Sequence, residues 1–277
     1  MHEGIQPTIH EAKHPRLQVH RAFRSRYLPD ARDVTVYLPP HYDEQPGRLY
    51  PVLYLHDGQN LFEAESSLVR GRSWRVREHA DGAIESGEVE PLVIVGIHNT
   101  GARRLAEYTH EPHGQMGGGE ADAYGALLTR DLMPWIQDQY RVRTDRDAVG
   151  LGGSSLGGLV TLYLGLRYPQ FFGRLAVLSP SVWWNQRSIL GYVGKQAGAS
   201  GERPLIWLDV GDGEGQHAVR DVAQLAQQLM MHGWRPEEAL HFEEIQGGMH
   251  DEESWSARVR PMLRFLFPAQ NARSASR

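Results

Sequence analysis

The turn that decides the fold lies near the middle of the chain and reads Ala148-Val149-Gly150-Leu151-Gly152-Gly153-Ser154-Ser155-Leu156-Gly157-Gly158. The apolar run Ala148–Leu151 predicts a strand, and the apolar segment Leu159–Leu166 predicts a buried helix. A serine between them, with glycines two positions before and two positions after, projects its hydroxyl above the sheet. We therefore predict that Ser155 is a nucleophile. Ser154 lacks this symmetric glycine spacing, and the alternative is an ordinary glycine-rich turn.

Short apolar runs alternate with segments of helical period on both sides of this turn, which predicts an α/β fold in one domain over residues 1–277. Nearly unbroken apolar runs are typical of central parallel strands that helices cover on both faces. We predict a mostly parallel central sheet of about eight strands, with an antiparallel edge formed by the first two. The predicted strands are Leu17–Phe23, Val34–Leu38, Val52–Leu55, Leu92–Ile97, Ala148–Leu151, Leu175–Leu178, Leu205–Val210 and Leu240–Ile245. Residues 1–16 and 268–277 are predicted to be flexible ends.

The composition is that of an ordinary globular protein, with 40% hydrophobic and 23% charged residues, which excludes a disordered chain. The formal net charge of −5 argues against nucleic-acid and membrane partners. Cysteine is absent, which excludes disulfides and thiolate catalysis. No apolar run lies within Met1 to His20 and none elsewhere is long enough to span a bilayer, so we expect a cytoplasmic protein.

Four further motifs accompany the serine turn, and together they are specific although no single one is. They are Val36-Tyr37-Leu38-Pro39-Pro40, Leu55-His56-Asp57-Gly58-Gln59-Asn60, Leu178-Ser179-Pro180-Ser181-Val182-Trp183-Trp184, and Gly247-Gly248-Met249-His250 with Trp255. With Gly153 to Gly158, they make the chain resemble the putative esterase (enterochelin-esterase-like) family of the α/β-hydrolase superfamily, from about Arg21 to Phe267. The resemblance implies the α/β-hydrolase fold and serine-dependent ester hydrolysis, with substrates that differ widely between members.

A serine hydroxyl needs a base, and a neutral imidazole is the usual one. In the hydrolase order of serine, acid and histidine, the histidine follows the last strand, which favours His250 after Leu240–Ile245. Three other histidines also lie downstream of the serine, at positions where surface or packing roles are expected: His217, His232 and His241.

The acid that orients the imidazole is expected in the loop Asp209-Val210-Gly211-Asp212-Gly213-Glu214-Gly215, which follows a predicted strand. The resemblance implies an acid three residues after the glycine at this strand end, which selects Glu214 after Gly211. Glutamate departs from the more common aspartate at this position. Asp212 and Asp209 are the alternatives, and carboxylates are also ordinary residues of turns.

The oxyanion hole requires two backbone N–H groups directed at the developing charge. We predict the amides of Leu156, directly after the nucleophile, and of Gln59, with Gly58 as the alternative to Gln59. Arg104, Trp183 and Trp184 follow strand ends where open α/β sheets place ligands, so they are predicted to line the substrate pocket. Core packing of the two indoles and plain solvation of the arginine are the alternatives.

The segment His10-Glu11-Ala12-Lys13-His14 fits the zincin pattern, but that chemistry needs both histidines on one helix face, and Pro15 disfavours helix at His14. We therefore expect neither a metal nor an organic cofactor. The sequence predicts a serine carboxylic-ester hydrolase with a Ser155-Glu214-His250 triad and an acyl-enzyme intermediate. Its small-molecule substrate is expected to be a short-chain acyl, phenolic or sugar, or siderophore-type ester. An acyltransferase on the same fold and a non-catalytic binding protein are the alternatives, and no oligomeric state is predicted.

Overall fold

The protein is described by a computed structural model that covers residues 8–11, 14–64, 67, 71–196 and 203–269, with side chains from residue 14 onward. The chain alternates between strands and helices along most of this length. The strands are β1 (Thr8–Glu11), β2 (Leu17–Phe23), β3 (Arg32–Tyr37), β4 (Val52–His56), β5 (Val93–Ile97), β6 (Pro112–His113), β7 (Gly117–Gly118), β8 (Val149–Ser154), β9 (Arg174–Leu178), β10 (Leu205–Gly211) and β11 (Leu240–Ile245).

The helices lie between or after these strands along the chain. They are α1 (Val76–Glu85), α2 (Arg104–Glu107), α3 (Ala121–Leu127), α4 (Met133–Gln139), α5 (Leu156–Arg167), α6 (Trp184–Gln196), α7 (Gln216–Met231) and α8 (Glu252–Leu266). In the described part of the chain, none of them is long and apolar enough to cross a membrane.

Nine of the strands form one sheet in the order β1-β2-β3-β5-β4-β8-β9-β10-β11. The pairings from β1 to β5 are antiparallel, and those from β5 to β11 are parallel. The parallel part places the carboxyl ends of β4, β8, β9, β10 and β11 along one edge of the sheet, and α/β sheets bind ligands at this edge. The prediction of a mostly parallel sheet with an antiparallel edge is confirmed.

Each central strand packs against a hydrophobic core on both faces, which explains its unbroken apolar sequence. Along β4, Val52 and Tyr54 belong to the core that α3, α5 and α7 cover, whereas Leu53 and Leu55 belong to the core that α1 and α8 cover. All four side chains are buried. Because side chains alternate between faces, a strand buried on both sides needs an apolar residue at every position.

The structure differs from the sequence prediction at one place outside the site. Thr8–Glu11 form an edge strand that pairs antiparallel with β2, so the prediction of a flexible end over 1–16 is wrong at these residues. Much of the two predicted ends, including 270–277, lies outside the described residues. A π turn over Leu128–Leu132 leads into α4, which begins at Met133 with Pro134 in its first turn. A proline near a helix start is unstrained, because no partner is needed for its missing N–H group.

Candidate active site

The serine turn joins β8 to α5 at the carboxyl edge of the sheet. Ser155 has φ 59° and ψ −123°, a conformation that L-residues rarely adopt. Hydrogen bonds hold it there: its N–H donates to Leu178 O at 3.1 Å, and its carbonyl accepts from Ser181 N at 3.0 Å. A Cβ at Gly153 would lie 3.0 Å from the His56 ring and 3.1 Å from the Gly157 backbone. This close approach favours glycine at position 153, whereas a Cβ at Gly157 would meet its nearest atoms at an ordinary contact distance of 3.4 Å.

The two neighbouring serines differ in accessibility. Ser154 is only 5% exposed, whereas Ser155 is partly exposed at the end of the turn. The Ser155 hydroxyl lies 3.3 Å from the Ser181 hydroxyl. The exposed geometry thus favours Ser155 as the serine that can meet a substrate.

Two loops bring the predicted acid and base together. Glu214 ends a short 3₁₀ turn, Asp212–Glu214, directly after β10, and His250 precedes the start of α8. Glu214 Oε2 lies 2.7 Å from His250 Nδ1. The Glu214 side chain is 3% exposed and that of His250 is 46% exposed. The carboxylate therefore contacts the imidazole from the protein interior, and part of the ring faces solvent.

These loops can meet only because both contain glycine where they touch. A Cβ at Gly211 would lie 2.1 Å from Gly248 O, so any larger residue there would separate the loops. Gly213 N donates to Gly248 O at 3.0 Å, and Gly247 N donates to Asp212 Oδ1 at 2.7 Å. Asp212 therefore bridges the two loops, and its bond is to a backbone amide rather than to the imidazole.

The surroundings of Glu214 favour its charged form. Oε1 accepts the Gly211 N–H at 2.8 Å and the Ser179 hydroxyl at 2.5 Å. Burial raises the pKa of the Glu214 carboxyl, but the bonds from His250, Ser179 and Gly211 outweigh burial and hold this pKa below its ordinary value. The site therefore stabilises Glu214 as a carboxylate.

The other alternative acid, Asp209, lies beneath the site and does not contact the imidazole. It is fully buried, and its carboxylate accepts from Arg258 Nη1 at 2.8 Å and Trp207 Nε1 at 2.7 Å. Burial raises the pKa of Asp209 to about 6, although these donors favour the charged form.

The alternative histidines have other contacts or positions. His241 of β11 stacks on Trp207 of β10, with ring centroids 4.3 Å apart. His232 follows the end of α7, and its N–H donates to carbonyls of that helix. His217 lies in the first turn of α7 and lines the same cavity as His250.

Comparison with known proteins identifies the family. Residues 25–266 match the sequence profile of the family described as putative esterase. The chain belongs to this family. The esterase is 25% identical over 249 residues to the uncharacterized protein YbbA of Bacillus subtilis (strain 168), covering 85% of the chain and 92% of YbbA. It is 30% identical over 157 residues to the ferri-bacillibactin esterase BesA of the same organism, and spans about half of BesA, 51%.

A solved structure of the BES protein from Bacillus cereus has the same fold as this esterase. The TM-score is 0.74 at 21% sequence identity, and the alignment covers 93% of this chain and 97% of that one. The predicted family and the α/β-hydrolase fold are therefore confirmed, and the protein is a hydrolase that acts on esters.

The loop that carries Gln59 follows β4 and is fixed from below. Asp57 has a left-handed backbone, φ 56° and ψ 45°, and the 3₁₀ turn Gly58–Asn60 follows it. Gln59 is 7% exposed, and its side-chain Oε1 accepts the Asn99 N–H at 3.2 Å. Leu156 begins α5. The use of the Gln59 and Leu156 amides as an oxyanion hole stays a prediction.

Arg104 supports this loop, and its predicted place in the substrate pocket stays a prediction. Its Nε and Nη2 each lie 2.7 Å from an Asp57 carboxylate oxygen, a two-point ion pair. Asn99 Nδ2 also donates to Asp57 Oδ1, at 2.6 Å. The guanidinium is thus committed to Asp57, whose charge lies close to the start of α5.

The two adjacent tryptophans, Trp183 and Trp184, differ in burial. Trp184 is fully buried and donates from Nε1 to Glu111 O at 2.8 Å, so the prediction that it lines the pocket is wrong. Trp183 is 53% exposed and lines a cavity of about 340 Å³ together with Glu214 and His250. The side chains of neighbouring residues point in different directions. Contacts with segments distant in the chain decide which of the two is buried in the core.

Sequence reasoning missed Arg258, which contacts both carboxylates beneath the imidazole. Its side chain is 2% exposed and lies 2.8 Å from Asp209 Oδ1 and 3.5 Å from Glu214 Oε1. A signal was present, because Arg258 lies on the apolar stripe of α8 with Trp255 and Val259. An arginine on a buried helix face needs anionic partners in the interior.

The zincin-like segment does not form the helix that such a site needs. His10 lies in β1, and residues 12 and 13 lie outside the described part. Among the described residues, no group of three or more His, Cys, Asp and Glu side chains is placed to hold a metal ion.

Proposed function

We propose that this esterase is a serine carboxylic-ester hydrolase that works through an acyl-enzyme with Ser155 as nucleophile. The observation that carries the proposal is the 2.7 Å contact between His250 Nδ1 and Glu214 Oε2. An ionised carboxylate only accepts hydrogen bonds, so Nδ1 carries the proton and donates it. The lone pair of Nε2 is then available to accept a proton, which is the property that a general base needs.

In the proposed reaction, Ser155 Oγ attacks the ester carbonyl and its proton passes to His250. The tetrahedral oxyanion is bound by the Gln59 and Leu156 amides, and the alkoxide leaves with the proton from His250. Water then attacks the acyl-enzyme by the same route, giving the carboxylic acid and free Ser155. Glu214 holds the ring and stabilises its cation without taking the proton itself.

We propose a small-molecule ester as substrate, with one part in the cavity of about 340 Å³ beside His250. The exposed face of Trp183 offers a surface for an apolar or aromatic group. A short-chain acyl, phenolic or sugar, or siderophore-type ester fits this description. The name of BesA, a ferri-bacillibactin esterase that is similar over part of its length, supports the siderophore class.

The test compares wild type, Ser155→Ala and Ser154→Ala on p-nitrophenyl esters of increasing acyl length, methyl ferulate, an acetylated xylan and a siderophore trilactone. Loss of a triad member costs on the order of 10⁴–10⁶ in rate, so Ser155→Ala is expected to be inactive while its melting temperature is unchanged. Ser154→Ala is the matched control and is expected to retain activity, because its hydroxyl is buried on the turn.

Two outcomes contradict the proposal. If Ser154→Ala is inactive and Ser155→Ala is active, the nucleophile is the other serine. If acyl transfer to an added alcohol is much faster than transfer to water at equal activity of the two acceptors, the protein is an acyltransferase rather than a hydrolase.

A further inference from the structure

Ser179 lies beneath the Glu214–His250 pair and is held in a fixed position. It follows β9 directly, is 2% exposed and has φ 41°, a value that favours glycine. Its backbone N–H donates to Asp209 O at 3.0 Å, which holds it against β10. A non-glycine residue keeps such a strained backbone conformation only when the surrounding contacts hold it there, and residues of this kind cluster at functional sites.

The contacts of the Ser179 hydroxyl determine the direction of its proton. The oxygen lies 2.5 Å from Glu214 Oε1, 2.7 Å from Arg258 Nη1 and 3.2 Å from Trp255 Nε1. Guanidinium and indole N–H groups only donate, and a hydroxyl has one proton and two lone pairs. Both lone pairs are therefore occupied by Arg258 and Trp255, and the single proton must go to Glu214.

The Arg258 guanidinium is what makes this assignment rigid. Nη1 also donates to Asp209 Oδ1 at 2.8 Å, and Nη2 lies 3.4 Å from Met249 O and 3.5 Å from Glu214 Oε1. One planar group thus connects β10, the loop before His250 and Ser179. Asp209 balances the charge of Arg258, so Glu214 is left with the negative charge that a protonated imidazole needs.

We propose that Ser179 and Arg258 are positioning residues of the active site: Arg258 fixes Ser179 as an acceptor, so that the Ser179 hydroxyl donates to Glu214 and directs the second Glu214 oxygen at His250. This inference rests on the proposed function, because it requires Glu214 to act on His250. With the Gly211 N–H, Ser179 engages Oε1 from two sides. The carboxylate then cannot rotate without losing two hydrogen bonds, and Oε2 stays on Nδ1.

The pH dependence of kcat/KM distinguishes a positioning role of Ser179 from a purely structural one. The charged and titratable groups around Glu214 are His250, Arg258, Asp209 behind the guanidinium, Asp212 on the same loop, and His217 and Asp221 of α7 across the cavity. Removing the Ser179 donor disfavours the charged form of Glu214, so the pKa of this carboxyl rises. A carboxylate with one donor fewer also interacts more strongly with the imidazolium, so the acid limb of kcat/KM is expected to move to higher pH.

The experiment measures kcat, KM and the pH profile with a p-nitrophenyl ester for wild type, Ser155→Ala and Ser179→Ala. The matched control is Ser256→Ala, which removes another buried hydroxyl of α8, bonded to His79 Nε2 of α1 at 3.0 Å. Ser179→Ala is expected to lower kcat about tenfold with KM unchanged, since a hydrogen bond to a charged group is lost. The acid limb of kcat/KM is expected to move to higher pH. Ser256→Ala is expected to change neither.

Variants at Arg258 test the second half of the inference. Arg258→Lys keeps the charge but loses the planar fork, so kcat is expected to fall while the acid limb moves less than in Ser179→Ala. Arg258→Met leaves Asp209 buried without a partner and endangers folding, so Arg258→Met is combined with Asp209→Asn to remove both charges. The folded double variant is expected to behave like Ser179→Ala, because the hydroxyl is then free to turn away from Glu214.

The outcomes separate this inference from the proposed function. If Ser155→Ala is inactive but Ser179→Ala and the double variant keep the wild-type kcat and acid limb, Ser179 and Arg258 are structural and only this inference is wrong. If Ser155→Ala retains wild-type activity, the proposed function is wrong and the positioning role is overturned with it.

Discussion

Replacing Glu214 by glutamine tests the site more sharply than deleting the side chain does, because it changes one oxygen to an amide nitrogen at nearly constant shape. The result depends on which way the amide faces. Oε1 accepts the Gly211 N–H at 2.8 Å, and this backbone donor cannot be reversed. The Ser179 hydroxyl also donates there, because its lone pairs face Arg258 and Trp255.

The oxygen of the new side-chain amide must therefore occupy the Oε1 position, and its NH₂ group must face His250 Nδ1, which lies 2.7 Å from Oε2 in the wild type. A donor at that position forces Nδ1 to accept and moves the ring proton to Nε2. The lone pair needed to accept the Ser155 proton is then lost. An acid-to-amide change of this kind costs roughly 10⁴ in kcat in a serine protease, so we expect a loss of that order, or about 5 kcal/mol in the barrier.

The assay is kcat for a p-nitrophenyl ester, with the melting temperature measured alongside. Asp212→Asn is the matched control, because it makes the same chemical change on the same loop. Its side-chain oxygen still accepts the Gly247 N–H, 2.7 Å away in the wild type, so less than tenfold loss is expected. The reasoning is refuted if folded Glu214→Gln stays within tenfold of wild type, or if Asp212→Asn loses more activity than Glu214→Gln does.

Three further predictions concern pH, the cavity and metal ions. Burial lowers the pKa of His56 to about 3 in the folded protein, whereas the unfolded value is about 6.5. Between these two pH values the unfolded chain binds more protons than the folded protein does. The free energy of unfolding therefore falls as the pH drops through this range. His56→Gln is expected to flatten the pH dependence of the unfolding free energy, measured in urea, by about 3 kcal/mol between pH 7 and pH 4; an unchanged slope would contradict this. Trp183→Ala is expected to raise KM for aromatic esters with little change in melting temperature. Trp184→Ala truncates a fully buried side chain, so it is expected to lower the free energy of unfolding by about 3–5 kcal/mol. Equal effects of the two variants on stability would contradict the finding that only Trp184 is buried. EDTA, and the double replacement of His10 and His14 by alanine, are expected to leave activity unchanged, and a loss that zinc restores would overturn the metal-free mechanism.

The strands and the serine turn were predictable from sequence because their causes are local. A strand covered on both faces needs apolar residues at every position, and Val52 to Leu55 shows this without any knowledge of its neighbours. The serine turn is visible as a serine with glycines two positions before and two positions after it. Leu17–Phe23 and Leu240–Ile245 coincide with the predicted bounds, whereas Thr8–Glu11 was missed because an edge strand with no apolar run has no such local signal.

The three carboxylates at the end of β10 and in the loop after it were not separated by their sequence pattern, and tertiary structure separated them. Asp209 in β10 and Asp212 and Glu214 in the loop lie within six residues, yet they bond to a buried guanidinium, a backbone amide and an imidazole. The spacing Gly211 to Glu214 pointed to the last of these only through resemblance to a family. The contact with His250 itself depends on a second loop 36 residues away.

The sequence by itself determined the α/β alternation and the position of the serine turn, since each depends on residues that are near one another in the chain. Only the tertiary structure decided that Arg104 pairs with Asp57, that Trp184 rather than Trp183 is buried, and that Arg258 lies beneath Glu214. The physical reason is that these choices are made by burial and charge pairing between segments 44 or 47 residues apart. A local pattern can show that a side chain needs a partner, but the packing of the whole sheet supplies that partner.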